Sequence, residues 1–476
     1  MQFNSFAFLG FFAVLAGLYY LLPQRFRWVL LLVASYWFYS QFQLTYVLLL
    51  AYSTLVAYGI GLALARRPGK GLLWLGIALE LAVLVLFKYV DFLAGLIEGA
   101  WAPLGVGEAL ALPRLGWLLP AGLSFFVFST ISYIVDVYRR TVPAERHLGH
   151  LALYVAFFPK LVAGPIERAG AFLGQVKAGI RFDSALMVLG LQLLLWGLFK
   201  KVVIADRLAE VVNAAFTNPD FQSPVALIVA VYFYAFQIYC DFSGYSDMAI
   251  GLAAILGYRL MENFRRPYFS RSVPEFWSQR WHISLSHWFR DYIYIPMGGS
   301  RVAKPRWYLN QFTVFIVSGL WHGANLTFVI WGALNGLYQV LYHLLGGPRK
   351  ALGSRLPAWL WGGLGILLTF HLVLISWVFF RAASVQQAWT VLTKIFGSLG
   401  MLPMLLPAYN WNGAFWTSVG LIAVLLLIEL LDEFRSLWRW IGERPIAVRW
   451  GLYYGLAACL LLIGNWGMTQ FVYMQF

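Results

Sequence analysis

Long apolar runs, separated by short polar turns, make up most of this chain. Eight of them approach or exceed the roughly 17–25 residues that a helix needs to span a bilayer. They cover residues 6–22, 44–65, 72–96, 185–199, 226–240, 360–380, 416–431 and 450–463. Backbone groups in lipid must pair internally, and the runs lack the alternation of a membrane strand, so helices are the predicted form. The pattern predicts an all-α polytopic membrane protein with about eleven transmembrane helices, besides shorter apolar pieces that only dip into the membrane.

Two segments do not fit simple spans. Residues 147–176 contain prolines and charges, and non-helical backbone at membrane depth is tolerated only inside protein or beside a water-filled cavity. We expect a re-entrant element there, with an interfacial loop as the alternative. Residues 259–308 interleave nine Lys and Arg side chains with aromatic ones, which is typical of helices in the interface or packed within the bundle. The alternative is an amphipathic surface helix that anchors the protein to anionic lipid.

Composition supports the membrane class and argues against nucleic-acid binding. Hydrophobic residues make up 61% of the chain and charged residues 12%, against roughly a quarter charged in a soluble domain. The 35 Lys and Arg against 20 Asp and Glu form no basic soluble domain. They cluster instead after the first, third and fifth spans, at Arg25, Arg27, Arg66, Arg67, Lys70, Arg139, Arg140 and Arg146. The positive-inside rule predicts that these turns are cytoplasmic and that the N-terminus is extracytoplasmic. No basic segment precedes the first run, so we expect it to stay as a helix rather than be cleaved as a signal.

The spacing of cysteine and histidine indicates neither a disulfide nor a metal site. Cys240 and Cys459 lie inside apolar runs and are typical of small buried residues. Metal sites place ligands at short spacings on shared elements, such as His-x-x-x-His backed by carboxylates or thiolates. His282 and His287 are five positions apart with no cysteine nearby, so we predict no bound metal.

Two Trp-His pairs, Trp281-His282 and Trp321-His322, are the best candidates for chemistry. An imidazole in so apolar a chain is difficult to explain without a task. The two histidines are 40 positions apart (322 − 282), too far to share one helix face, so only the tertiary fold can bring them together. A neutral imidazole takes the proton of a hydroxyl that attacks a thioester, which is the role of a general base in acyl transfer.

Long ordered strings surround both pairs. Residues 276–299 read FWSQRWHISLSHWFRDYIYIPMGG, and residues 318–325 read SGLWHGAN. Both strings resemble the signature of the membrane-bound O-acyltransferases, in particular the branch that acetylates bacterial exopolysaccharides such as alginate. Further similarity lies in residues 22–23, 34–36, 157–160, 164–166, 241–247 and 263–268, so the resemblance extends over nearly the whole chain. It implies a single integral-membrane acyltransferase domain, 1–476, whose helices surround a central tunnel.

The resemblance implies unequal roles for the two histidines. The position of His322 is regarded as essential in the family, so we predict that His322 is the catalytic base. His282 matches a position that is Asn in some members, which favours orientation or substrate holding over proton transfer. Gly319 and Gly323 allow close approach of backbone or substrate. Asn325 is expected near the helix face of His322, where it orients the imidazole or donates to an oxyanion.

Residues near the pairs are candidates for the wall of the tunnel. They are Trp281, Arg280, Ser284, Arg290, Asp291, Trp321 and Asn325. Arg290 and Asp291 are expected to form a local structural or substrate-orienting pair, because intramembrane charges are often paired for structure. Residues 241–247 also offer carboxylates and hydroxyls for a tunnel, but Ser243 or Ser246 as the cap of the next helix is the preferred interpretation.

The chain ends in an aromatic segment, residues 471–476. On composition alone, such a segment is typical of an interfacial aromatic belt. Its pattern Phe-x-Tyr-x-x-Phe also resembles the terminal motif of acyl-relay partners in bacterial cell-envelope acylation, in which the tyrosine carries the acyl group. Phenoxide leaves more readily than alkoxide, so onward transfer from a phenol ester stays favourable. The resemblance implies Tyr473 as a covalent relay, with the belt as the alternative.

The resemblance implies an O-acetyltransferase of the bacterial cytoplasmic (inner) membrane. Its donor is expected to be acetyl-CoA or another acetyl thioester, whose phosphates the basic loops attract, with no tightly bound cofactor. The acceptor is expected to be an exported polysaccharide, reached through an extracytoplasmic transferase; the other expected contacts are membrane lipids. D-alanyl transfer to teichoic acid is the nearest alternative enzyme function. A transporter or a non-catalytic scaffold for polysaccharide export is the alternative from another class.

Overall fold

A computed structural model describes residues 1–101, 112–467 and 471–472, and within these ranges it contains helices and no strand. The prediction of an all-α fold is confirmed. The first twelve α-helices are α1 (Phe6–Leu21), α2 (Gln24–Ser40), α3 (Tyr46–Arg66), α4 (Lys70–Lys88), α5 (Val90–Trp101), α6 (Leu123–Tyr138), α7 (Leu148–Ala156), α8 (Phe158–Leu161), α9 (Ala169–Ala178), α10 (Ser184–Leu198), α11 (Asp206–Thr217) and α12 (Pro224–Ile255). A π-helix, Phe199–Ala205, joins α10 to α11, and a short 3-10 helix, Pro219–Phe221, precedes α12.

The second part of the described chain begins with short turns and then returns to long helices. The α-helices are α13 (Val273–Glu275), α14 (Ile283–Phe289), α15 (Lys304–His322), α16 (Leu326–Leu344), α17 (Gly346–Gly353), α18 (Ala358–Arg381), α19 (Val385–Gly397), α20 (Leu402–Leu405), α21 (Gly413–Phe434), α22 (Leu437–Gly442) and α23 (Ile446–Ile463). Two π-helices, Phe276–Arg280 and Arg290–Tyr294, flank α14, and 3-10 helices cover Pro267–Phe269, Leu399–Met401 and Leu406–Ala408.

Seven helices in the described ranges are long and apolar enough to cross a membrane. They are α3, α4, the continuous helix α10 to α11, α12, α18, α21 and α23. Two bent pairs, α16 with α17 and α19 with the helices that follow it, raise the number to nine if each pair is one span, while α1 and α6 are shorter apolar helices. A polytopic membrane protein is thereby confirmed, whereas the number of about eleven spans stays a prediction.

Three apolar runs end differently from the predicted spans, and one of them, the run 185–199, continues through the π-helix to Thr217. The run 72–96 is broken at Tyr89, because α4 ends at Lys88 and α5 begins at Val90. The run 226–240 continues to Ile255, since the polar residues after it are buried and paired inside the protein. The interpretation of Ser243 or Ser246 as a helix cap is therefore wrong: both lie in the middle of α12, and the side chain that caps this helix belongs to Ser223.

The long helix α12 forms the centre of the fold. In its most apolar window 78% of the residues are buried inside the protein, and it packs against α10, α11 and the π-helix between them. Glycines set the distance to α10: a Cβ on Gly197 would lie 2.5 Å from the carbonyl oxygen of Gly244. Small residues at such contacts let two backbones approach closely, as in packed membrane helices.

The segment 147–176 folds as the short helices α7, α8 and α9, joined by irregular backbone. None of the three is long enough to cross a bilayer. Phe157 and Phe158, at the break between α7 and α8, are 0% exposed, and Lys160 is 4% exposed. The irregular backbone is thus enclosed by protein, which is the condition for such backbone at membrane depth. The re-entrant path of this segment stays a prediction.

Candidate active site

The fold brings the two Trp-His pairs together. The ring centroid of Trp321 lies 6.0 Å from that of His282 and 4.9 Å from that of His322. Both histidines are buried, with 1% of His282 and 4% of His322 exposed. They come from different elements, because His322 is the last residue of α15 and His282 lies just before α14. Tertiary structure thus brings together two pairs that are too far apart in the chain to share one helix face.

His282 occupies a left-handed backbone turn, with φ 45° and ψ 53°. This conformation is uncommon outside glycine and persists where the surroundings fix it. Asn263 supplies that support: its carbonyl oxygen accepts from the Ile283 N–H at 2.9 Å, and its Oδ1 accepts from Ser284 Oγ at 2.8 Å. Asn263 Nδ2 in turn donates to Ser246 Oγ of α12 at 3.0 Å. Asn263 was not among the predicted site residues, although it begins one of the strings that carry the resemblance.

His322 is fixed by contacts at the end of α15. Lys88 Nζ donates to the carbonyl oxygens of Trp321 at 2.6 Å and of His322 at 2.9 Å. These carbonyls belong to the last turn of a helix, which lacks intrahelical donors and attracts positive charge. Gly319 allows α16 to approach, because a Cβ there would lie 2.2 Å from the Phe328 carbonyl oxygen. The sequence signal for Lys88 was a single lysine inside the apolar run 72–96, and it was missed.

Each histidine lines a different cavity. His282 lines a cavity of about 300 Å³, whose wall comes from residues 274–294 and from α15 and α16. His322 lines a smaller cavity of about 30 Å³, together with Lys88, Trp321 and residues 119–125. Trp321 contacts both imidazoles, so the rings of His282, Trp321 and His322 form one continuous cluster. Each of the two cavities has a member of this cluster in its wall. Such an arrangement can receive two substrates by separate routes.

Charged residues beside the site are paired. Arg290 Nε donates to Asp291 Oδ1 at 2.7 Å, and Arg168 donates to Asp291 Oδ2 at 3.0 Å. Burial raises the pKa of Asp291, but the hydrogen bond and charge of Arg290, with Arg168, outweigh it and lower this pKa below its ordinary value. Arg280 pairs with Glu433 of α21 at 2.8 Å. The predicted Arg290–Asp291 pair is confirmed, and Arg290 also lines the larger cavity.

Asn325 does not lie on the helix of His322. That helix ends at His322, and Asn325 begins the next one as its N-cap. Its Oδ1 accepts from the Thr327 N–H at 3.0 Å, and its Nδ2 donates to the Ala383 carbonyl at 2.9 Å. The expectation of a shared helix face is wrong because α15 stops three positions earlier. These bonds assign Asn325 to the start of α16 rather than to the imidazole.

Trp281 and Ser284 are almost fully buried, with 1% and 0% exposed. Trp281 packs against Phe276 and Trp377, with ring centroids 5.4 Å and 5.0 Å away. Neither Trp281 nor Ser284 belongs to the described walls of the two cavities that the histidines line. Both pack around the turn that holds His282, and their place in the wall of a substrate tunnel stays a prediction.

The described part of the C-terminal segment is anchored by a buried ion-pair cluster. The Val472 N–H donates to Asp241 Oδ2 at 2.7 Å. Lys201 Nζ lies 2.6 Å from Asp241 Oδ1 and 2.7 Å from Asp206 Oδ1. Lys201 belongs to the π-helix, a distortion often found at functional sites. Residues 241–247 therefore serve in part to hold the chain end.

This anchor places the C-terminal segment beside His282. The ring of Phe471 lies 5.7 Å from that of Phe242, and the ring of Phe242 lies 4.6 Å from that of His282. Phe471 is 3% exposed. Tyr473 lies outside the described residues, as does the rest of the predicted motif after Val472.

Neither a disulfide nor a cluster of metal ligands is found among the described residues. Cys240 and Cys459 are both free. Among residues 1–101, 112–467 and 471–472, no three His, Cys, Asp or Glu side chains are grouped to hold a metal ion.

Comparisons with known proteins agree on one family. A sequence model of the membrane-bound O-acyltransferase family matches residues 31–346, a range that includes both histidines. The chain is 42% identical over 398 residues to a probable alginate O-acetylase of Pseudomonas syringae pv. tomato, covering 82% of this chain and 74% of that protein. It is 33% identical over 427 residues to a peptidoglycan O-acetyltransferase of Helicobacter pylori, covering 83% and 78%. A teichoic acid D-alanyltransferase of Bacillus subtilis is 27% identical over 270 residues, covering 54% and 68%.

Proposed function

The chain belongs to the membrane-bound O-acyltransferase family, and we propose that it is an O-acetyltransferase that moves acetyl groups across the bacterial cytoplasmic membrane toward an exported polysaccharide. The observation that carries the proposal is the meeting of His282 and His322 between two cavities. Greater similarity to proteins named as O-acetylases than to the D-alanyltransferase favours acetyl as the transferred group. D-alanyl transfer and a non-catalytic export scaffold are the competing proposals.

The direction of transfer follows from two helices that end at the site. α4 begins at Lys70, in a basic turn, and ends at Lys88; α15 begins at Lys304 and ends at His322. Each has 19 residues, or about 28 Å at 1.5 Å per residue. The positive-inside rule puts both starting ends in the cytoplasm and the N-terminus of the chain outside. His322 and the small cavity then lie toward the exterior.

The larger cavity is the proposed route for acetyl-CoA or another acetyl thioester. Its wall includes Arg290, His287 and His343 besides apolar side chains. Arginine pairs well with phosphate oxygens, so the nucleotide end of the donor is expected at the cytoplasmic mouth. The acetyl end then points toward His282, at the inner part of this cavity.

His322 is the proposed general base. Its imidazole takes the proton of an attacking hydroxyl while the hydroxyl oxygen bonds to the carbonyl carbon of the thioester. The C–S bond then breaks, and the proton held by His322 passes to the departing thiolate. His282, fixed in its turn by Asn263, orients the reacting groups without exchanging a proton.

Tyr473 is the proposed first acceptor. Its neighbour in the chain, Val472, is anchored at Asp241, and Phe471 packs beside Phe242 in contact with the His282 cluster. An acetylated phenol is an activated ester, so it can pass the acetyl group to an extracytoplasmic transferase and from there to a polysaccharide hydroxyl. The partner transferase and the acceptor polymer belong to the proposal.

The first test compares two histidine variants of purified protein supplied with acetyl-CoA. His322→Ala is expected to lower the rate of acetyl transfer by about 10²- to 10⁴-fold, because general-base catalysis contributes on that order. His371→Ala is the matched control, since His371 bonds to Tyr232 and lines neither of the two cavities that His282 and His322 line. Unchanged transfer by His322→Ala contradicts the catalytic role of His322, whereas a wild-type protein that transfers no acetyl group favours a scaffold.

The second test looks for the covalent relay by intact mass. Protein incubated with acetyl-CoA, with release to partners blocked, is expected to carry one acetyl group on the C-terminal peptide, and Tyr473→Phe is expected to lose it. Tyr454→Phe is the control, because Tyr454 is 67% exposed on α23. A wild-type protein that turns over acetyl-CoA but never carries the label refutes the relay while leaving the transferase proposal intact.

A further inference from the structure

A second large cavity lies between α10, α12, α21 and residues 260–266. Its volume is about 310 Å³. One part of its wall is apolar and includes Leu189, Leu193, Ile250 and Ile428, and the other part is charged. Its described wall includes neither His282 nor His322, so it is distinct from the two cavities proposed for acetyl transfer.

The wall of this cavity has one more carboxylate than it has cationic side chains. Seven Lys, Arg, Asp and Glu side chains line it, of which three are cationic and four are anionic. The cations pair one to one with lining carboxylates, as Lys200–Asp247 at 2.6 Å, Arg265–Glu262 at 2.5 Å, and Arg266–Asp432. Glu429 is the carboxylate that remains.

Glu429 is buried and incompletely bonded. It is 6% exposed; its Oε1 accepts from the Tyr239 hydroxyl, and its Oε2 has no hydrogen-bond partner among the described residues. A buried carboxylate oxygen without a donor is unfavourable, so such a group calls for a ligand that supplies one. α21 buries only Ser418, Leu425 and Glu429 along its 22 residues, so an otherwise outward-facing helix turns this carboxylate inward.

We propose that this cavity binds a membrane phospholipid with a primary-ammonium headgroup, of the phosphatidylethanolamine type. The ammonium N–H groups donate to Glu429 Oε2 and supply the missing positive charge. The phosphate lies toward Arg265, whose side chain is 52% exposed beside the cavity. A quaternary ammonium has no N–H to donate, and an anionic headgroup adds to the excess of negative charge, so both bind more weakly.

A lipid fits this cavity better than a soluble ligand because its surroundings are apolar. Leu191 of α10 and Leu427 and Leu430 of α21 are exposed on the outer faces of helices that can cross a membrane. Acyl chains can therefore continue from the apolar wall at Leu193 into the bilayer without crossing polar protein. Lipid binding at this cavity is independent of acetyl transfer, so lipid retention is measured without an acetyl donor.

The first experiment varies the headgroup and leaves the protein unchanged. Purified full-length protein in phosphatidylcholine nanodiscs is given equal small amounts of phosphatidylethanolamine, its N-methyl and N,N-dimethyl forms, or phosphatidylglycerol, and retained lipid is measured by native mass spectrometry. Retention is expected to fall with each N–H removed, with at least about a tenfold difference between the primary ammonium and phosphatidylcholine. Equal retention of all headgroups overturns the proposal.

The second experiment removes the charge. Glu429→Gln is expected to lose the preference for the primary ammonium by about tenfold, whereas Glu80→Gln, a fully buried carboxyl on α4 outside this cavity, is expected to keep it. Leu193→Trp, which fills the cavity and retains Glu429, is expected to lower retention of the same lipid and serves if Glu429→Gln does not fold. Wild-type preference in Glu429→Gln, or wild-type retention of the lipid in Leu193→Trp, refutes the site.

Discussion

At the scale of single residues, backbone conformation explains why His282 needs support. It is a residue other than glycine in the left-handed region, and Asn263 holds the turn through its carbonyl and its side chain. Ser246 connects Asn263 to the central helix α12. Polar contacts of the neighbouring residues thus set the position of the imidazole, because the aromatic rings around it give little directional control.

Substitutions of His282 separate backbone from side-chain effects. Asn adopts the left-handed region readily, so His282→Asn is expected to keep the free energy of unfolding near the wild-type value while acetyl transfer falls. Val is strained there, and His282→Val is expected to lose about 1–2 kcal/mol more. Denaturation in detergent and an acetyl-transfer assay measure the two quantities. Equal stability of the two variants contradicts the role assigned to the turn.

At the scale of elements, the end of α15 decides where the base lies. Lys88 comes from α4 and bonds to the carbonyls of Trp321 and His322, while Gly319 lets α16 pack closely beside them. Three helices therefore meet at the residue proposed as the base. The expected place of Asn325 was wrong for the same reason, since the helix stops where these contacts begin.

Lys88 variants test this helix end. Lys88→Met leaves the two carbonyls without their donor and is expected to cost about 1–3 kcal/mol of folding free energy and to lower the rate of acetyl transfer. Lys88→Arg keeps a donor and the charge. It is therefore expected to recover part of the folding free energy and part of the acetyl-transfer rate. If Lys88→Met retains full transfer, the contact is structural only and does not position His322.

At the scale of the whole molecule, the chain end returns to the centre of the fold. Asn465 donates its N–H to the Val202 carbonyl of the π-helix at 2.8 Å, and Val472 donates to Asp241 at 2.7 Å. Lys201, between Asp206 and Asp241, ties this anchor to α11 and α12. The C-terminal segment is thus joined to the π-helix and to the central helix α12.

Removal of the anchor gives a prediction at this scale. Asp241→Ala is expected to raise the hydrogen-exchange rate of the Val472 amide by about tenfold, because the amide loses a charged acceptor. The rate of acetyl transfer that depends on the C-terminal segment is expected to fall when this anchor is lost. Asp220→Ala, outside the site, is the control for a lost carboxylate. An unchanged exchange rate at Val472 shows that Asp241 does not hold the chain end.

The sequence by itself determined the class, the helical form of the spans and the two histidines. Apolar runs of spanning length admit only helices, because backbone groups in lipid have no other partners. The strings around Trp281-His282 and Trp321-His322 indicated the family before any contact was known. These properties are local: each depends on residues within a few turns of one another.

Only the tertiary structure decided how these parts combine. It placed Trp321 against both imidazoles, Lys88 at the end of α15 and Glu429 in a separate cavity. It also brought Asp241 to the Val472 N–H of the C-terminal segment. Most of these contacts join residues from different elements, many of them far apart in the chain, and packing selects such pairs. Apolar periodicity and motif order record which residues enter the membrane, but not which of them meet there.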